Sequence, residues 1–183
     1  MKPILQFLSS ISFLLLTGCA TVNHQIPSSQ LQSKVRQLTE SISQLGPNVL
    51  PQEALKVAKI SVYYPLKLSQ EYKLVESPIL HNILVNSGMR ERGLCIHWTE
   101  DLIRKLSVLK LTSLKFYWGV ANREANFRME HSAVIVTPSE LDLEDGIVLD
   151  AWRNSGELHY SPVLTDSYEW KKHYNDVTAE LAH

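Results

Sequence analysis

Three residues of this 183-residue chain stand where packing alone would not put them. Cys95 lies in Arg92-Gly93-Leu94-Cys95-Ile96-His97-Trp98, His131 opens the apolar run through Thr137, and Asp150 ends Ile147-Val148-Leu149. A carboxylate closing such a run must be paired or face water. The order Cys, His, Asp, with steps of 36 and 19 residues, suits thiol acyl chemistry. The positive end of a helix dipole favours a thiolate at the helix N-terminus. An imidazole takes the thiol proton and later returns one to a leaving amine. A carboxylate on the far ring nitrogen fixes its tautomer and orientation. The Cys95 backbone N–H is one expected oxyanion donor, and Asn82, Asn86 and His97 are candidates for the second. Bland alternatives exist for each of the three: a buried inert thiol, a histidine bonded to a carbonyl, and an aspartate paired with Arg153.

Positioning such a set takes a helix for the thiol and neighbouring strands for the other two. Leu31, Val35, Leu38, Ile42 and Leu45 recur at helical spacing, with Ser28 or Ser29 as cap and Gly46-Pro47 as stop. Pro51 opens a second helix, expected to fail before Pro65, with another turn or two over 66–72. Ser77-Pro78 opens a third, with Ile79, Ile83 and Leu84 as its apolar stripe and Gly88 as a left-handed end. A fourth follows Gly93 and runs to about Leu109, although Thr99, Glu100 and Asp101 offer a later start that sets acids close to the thiol. From Leu114 the period becomes two, and 114–120, 131–137, 146–152 and 158–163 read as strands, the last pushed to an edge by Pro162. Helices first and strands after imply an α+β fold, N-terminal helices packed on a C-terminal antiparallel sheet of about four strands. Trp98, Trp118 and Trp152 read as core or pocket-wall aromatics.

Composition narrows the chemistry further. The 18 Lys+Arg against 19 Asp+Glu include no basic stretch, so nucleic acid is not an expected partner. Two cysteines, Cys19 and Cys95, exclude a disulfide scaffold and a four-thiolate zinc site. Cys95-x-His97 offers two metal ligands without a third, so neither a metal nor another cofactor is expected.

The first residues explain one of the two thiols. Lys2 precedes an apolar run from Ile4 to Leu16, shorter than the ~20 residues of a spanning helix but suited to a signal peptide. Leu16-Thr17-Gly18-Cys19 resembles the bacterial lipobox, which implies cleavage before an acylated Cys19. Residues 1–18 are then a signal peptide, 19–30 a lipidated tether, and 31–183 one domain whose helical half ends near 110. The implied location is the cell envelope, with the chain held by its acyl chains; Ala20 favours the outer membrane, facing the periplasm. Cys95 is then left without a partner thiol.

The pieces GLCIHW, EHSAVIV and GIVLDAW resemble the transglutaminase-like branch of papain-related cysteine enzymes over 90–152. The resemblance implies acyl transfer from a peptide or amide, with Cys95 as nucleophile, His131 as base and Asp150 as orienter. Peptidoglycan amide cleavage shares that chemistry. A catalytically inactive binding or scaffolding lipoprotein of the same fold is the alternative.

Overall fold

The computed structural model describes residues 24–126 and 128–173. Among the described residues four helices precede the sheet: α1 (Ser28–Ser43), α2 (Pro51–Glu71), α3 (Pro78–Asn86) and α4 (Cys95–Ser107). Five antiparallel strands follow: β1 (Leu114–Ala121), β2 (His131–Pro138), β3 (Ile147–Asp150), β4 (His159–Pro162) and β5 (Lys171–Lys172), in the order β4-β3-β2-β1-β5. The fold class is therefore α+β, as the change of period implies. The acylation motif and the leader lie outside the described residues.

Strand β2 is the centre of the sheet, and all of its residues are buried. Side chains alternate across a strand, so β2 feeds two cores. Val134 and Val136 join Leu114, Phe116, Ile147 and Leu149 against Leu38, Val57, Leu102 and Leu106 of the helices. Ala133 and Ile135 face the other way, onto Val148, Leu143, Val163 and Trp170. The pairing Val134↔Leu149, carried one step on, sets Ala133 across from Asp150. His131 and Asp150 thus share the face away from the main helical layer, as diagonal neighbours on adjacent strands.

Four elements differ from expectation. Helix α1 begins at Ser28, so Ser28 to Gln30 are helical rather than tether, and Pro27 precedes the first turn. Helix α2 does not stop at Pro65 but carries it inside, buried, and continues to Glu71. An interior proline costs about 3 kcal/mol. The added turns and the residues just past them bury Leu68, Tyr72 and Leu74 against Trp98 and Ala151, and each large apolar side chain returns about 1.5–3 kcal/mol. Tertiary packing outweighs the local rule. The stripe expected on α3 does not face the core: His81 is its buried residue, while Ile79, Leu80 and Ile83 are exposed. Strand β5 had no sequence signal, since two lysines gain strand geometry only by pairing with Gly119 and Val120.

One buried carboxylate fastens the helical half to the sheet. Glu53, in the first turn of α2, accepts from Thr112 N at 2.9 Å, Thr112 Oγ1 at 3.0 Å, Ser113 N at 2.9 Å and Ser113 Oγ at 2.7 Å. Burial alone would raise its pKa, but these four donors lower it from 4.5 to about 2. Its contribution is therefore complete above pH 4.5 and lost as the pH falls towards 2. Glu53→Gln should destabilise the fold at neutral pH by about 1.5–3 kcal/mol and flatten the acid loss between these values; urea unfolding at several pH values measures both.

Candidate active site

Helix α4 begins at Cys95, not at Thr99 to Asp101, and the segment before it is tightly held. Gly93 has φ +125°, and a Cβ there would lie 2.2 Å from His81 Nε2, so neither the backbone nor the space admits a side chain. His81, fully buried in α3, donates from Nε2 to Arg92 O at 2.9 Å and accepts from Val75 N at 3.4 Å. Trp98 Nε1 donates to Gly93 O at 3.0 Å. His97 Nδ1 accepts from Gly93 N at 3.1 Å and Leu94 N at 3.3 Å. Burial, and then Arg92, lower the His97 pKa, consistent with this acceptor role. His97 therefore caps the helix and does not offer Nδ1 to an oxyanion.

The acids of the next turn are neutralised. Arg92 Nη2 lies 2.9 Å from Glu100 and 3.0 Å from Asp101, and Arg104 pairs with Glu100 at 2.6 Å. Tyr72 Oη also donates to Asp101. The half-buried Cys95 thiol, at the first helical position, faces Glu130 O at 3.8 Å. Glu130 itself is held by Arg123 at 3.0 Å. Cys95 thus meets the start of β2, one residue from His131.

His131 and Asp150 are 3% and 1% exposed. His131 Nε2 donates to Asp150 Oδ2 at 2.6 Å, which leaves Nδ1 as the nitrogen for a second partner. Burial alone would lower the His131 pKa. Asp150 and then Cys95, each as hydrogen-bonding and charge partner, raise it from 6.5 to about 9. The structure therefore brings together all three residues singled out in the sequence.

Of the surrounding groups, Trp152, Arg153 and Asn82 are ones the sequence offers, whereas Tyr168, Trp170 and Asp166 carried no recognisable sequence signal. Trp152, Tyr168 and Trp170 have ring centroids 5.0, 4.8 and 5.5 Å from the His131 ring, an aromatic enclosure that favours an imidazolium. Asp150 accepts from Arg153 Nε at 2.8 Å and from Trp152 N at 3.0 Å. Burial would push its carboxyl up, yet His131 and Arg153 hold it below its ordinary value. Pairing with Arg153 and pairing with His131 are not alternatives; Oδ2 accepts from both side chains, while Oδ1 accepts from the Trp152 and Arg153 backbone N–H groups. Arg153 Nη2 in turn grips both oxygens of Asp166, at 2.8 and 3.0 Å. Trp152 Nε1 donates to Asn82 Oδ1 at 3.1 Å, so the Asn82 amide borders the site while its Nδ2 remains a donor. Among the described residues no group of three or more His, Cys, Asp or Glu could hold a metal ion. Trp98 packs edge-on against Tyr72 in the small core that Trp152 also borders, and Trp118 lies beside His173.

No family model, curated protein or solved structure matches this chain.

The His131 shift carries a stability consequence. A folded pKa raised above the unfolded value contributes stability that is complete below pH 6.5 and lost as the pH rises through about 9. The urea midpoint of the wild-type protein should fall across this window by the equivalent of about 1–3 kcal/mol. Asp150→Asn, which removes the main raising partner, should shrink that alkaline loss while lowering stability at pH 6.

Proposed function

We propose that this chain is an envelope lipoprotein whose domain is a transglutaminase-like thiol hydrolase acting by acyl transfer on a peptide or amide. One observation carries the proposal: a buried imidazole bound to Asp150 on one nitrogen, with the thiol at the α4 N-terminus set against the carbonyl of Glu130, the residue before that histidine. A buried inert cysteine needs no charged histidine beside it, and a histidine that only fills space needs no ionised aspartate.

In this reading the Cys95 proton passes to His131 Nδ1 and the sulfur attacks the substrate carbonyl carbon. The C=O π pair moves to oxygen, where the Cys95 N–H and Asn82 Nδ2 stabilise the charge. Collapse breaks the C–N bond, and the imidazolium gives its proton to the departing amine, leaving a thioester. Water, deprotonated by His131, then adds to the thioester; the acid departs and the thiolate is reprotonated. Asp150 keeps Nε2 protonated throughout, so Nδ1 alone exchanges protons.

Iodoacetamide at pH 6.5, with the adduct read by mass spectrometry, tests the ion pair. Cys95 of the wild type should react at least ~10-fold faster than in His131→Ala, and Cys95→Ala should give no adduct on the domain. A wild-type rate no faster than that of His131→Ala would leave an inert binding or scaffolding domain as the better reading.

Asn82→Ala should separate the two kinds of chemistry. Alkylation creates no oxyanion and should be unchanged, whereas turnover of an amide substrate should fall about 10²–10³-fold. Equal loss in both assays would place Asn82 in support of the thiol instead.

A further inference from the structure

Helix α3 presents an apolar surface with no charged residue. Its sequence from Pro78 to Asn86 has His81 as its one titratable group, and that ring is buried. Ile79, Leu80 and Ile83 are 50%, 43% and 57% exposed, and Met89 follows just past the helix end, also exposed. Ile83 lies four residues after Ile79 and three after Leu80, both neighbour spacings on a helix, so these side chains form one patch. Val108, Leu164 and Tyr63 are exposed too, but they lie singly on separate elements, as isolated surface hydrophobes commonly do.

The chain itself indicates what covers the patch. His24 Nε2 donates to Ser155 O at 2.7 Å, and Ser155 Oγ donates to Glu76 O at 3.1 Å. Glu76 immediately precedes Ser77, the residue that caps α3. The described chain therefore starts beside the N-terminus of α3. Cys19 lies five residues before His24, a reach of no more than about 18 Å when fully extended. Helix α3 is about 13 Å long. An acyl anchor on Cys19 thus keeps a bilayer within reach of this patch. Lys73 and Arg90 stand at the far end, where Arg90 Nε donates to Lys73 O at 3.3 Å, and basic groups there suit anionic headgroups. Glu76, just before the α3 cap, and Glu91, next to Arg90, are exposed as well.

We infer that the exposed Ile79–Leu80–Ile83 face of α3 rests on a phospholipid bilayer, seated in the headgroup region and not spanning it. The inference rests on the reading of Cys19 as the acylated residue. Among the described residues no helix is long and apolar enough to cross a membrane, so surface contact is the mode that fits. Asn82 lies on the same helix as the patch and meets Trp152, which covers the His131 ring. The Asn82 side of the site consequently lies close to the lipid surface.

The test uses the full chain in vesicles of phosphatidylethanolamine and phosphatidylglycerol. In a Cys95→Ser background, an environment-sensitive fluorophore is placed at Ile83→Cys or, as control, at Val108→Cys beyond the opposite end of α4. Lipids brominated near the headgroup should quench the Ile83 probe at least threefold more than the Val108 probe. Ile79→Ser with Leu80→Ser should remove the difference. Equal quenching at both positions would overturn the inference. A blue-shifted Ile83 probe that brominated lipid does not quench would also overturn it, since protein (a second copy or the chain's own apolar leader) then covers the face. Intact mass reports acylation of Cys19 independently. An unmodified Cys19 removes the anchor reading, whereas an acylated chain with an unquenched probe removes only the docking face.

Discussion

Asp150 has almost no contact with solvent, and its charge is tolerable only because His131 and Arg153 both bond to it. A buried ion without partners is costly enough to neutralise or to unfold its surroundings. Everything around it can be read as a device for meeting that condition. Strands β2 and β3 set imidazole and carboxylate on one face of the sheet. The turn after β3 folds back so that Arg153 reaches Asp150, and Asp166 then holds the other end of the guanidinium. Aromatic rings close the space around the imidazole, excluding water that would weaken the pairing.

The helical half serves the same cluster from the other direction. Its task is to bring one backbone position, the first residue of α4, to the start of β2. Glycine at position 93, the buried ring of His81 and the Trp98 indole fix the approach from three sides. The continuation of α2 through Pro65 belongs to this arrangement. Past the proline, Ser69 packs under Gly156 in the turn that carries Asp150 and Arg153, with no room for a Cβ between them. A helix broken at Pro65 would leave that turn without a floor.

Sequence reading recovered what local chemistry encodes. Cys95 was legible because Gly93 precedes it and helical spacing follows, and His131 and Asp150 because each is a polar residue set in a β-rich run. The four helices and the four longer strands followed from periodicity and from Pro and Gly placement, except that Pro65, read as a stop, lies inside α2. The rest was hidden because its cause is remote in sequence. Nothing near Glu53 announces donors at Thr112 and Ser113, and nothing near Arg153 announces Asp166. Tyr168 and Trp170 look like ordinary aromatics until the chain returns beside His131. The apolar spacing of α3 was seen, but periodicity reports a helix face without saying what that face meets.

From ring to terminus, His131, Asp150, Arg153 and Asp166 form a line in which the signs run plus, minus, plus, minus. With the histidine protonated, the four charges sum to zero over a short span. Such a line has no net monopole, so its field decays faster with distance than that of a single ion. The sheet interior beside it is spared a strong long-range potential, and dissolved salt has little net charge there to screen.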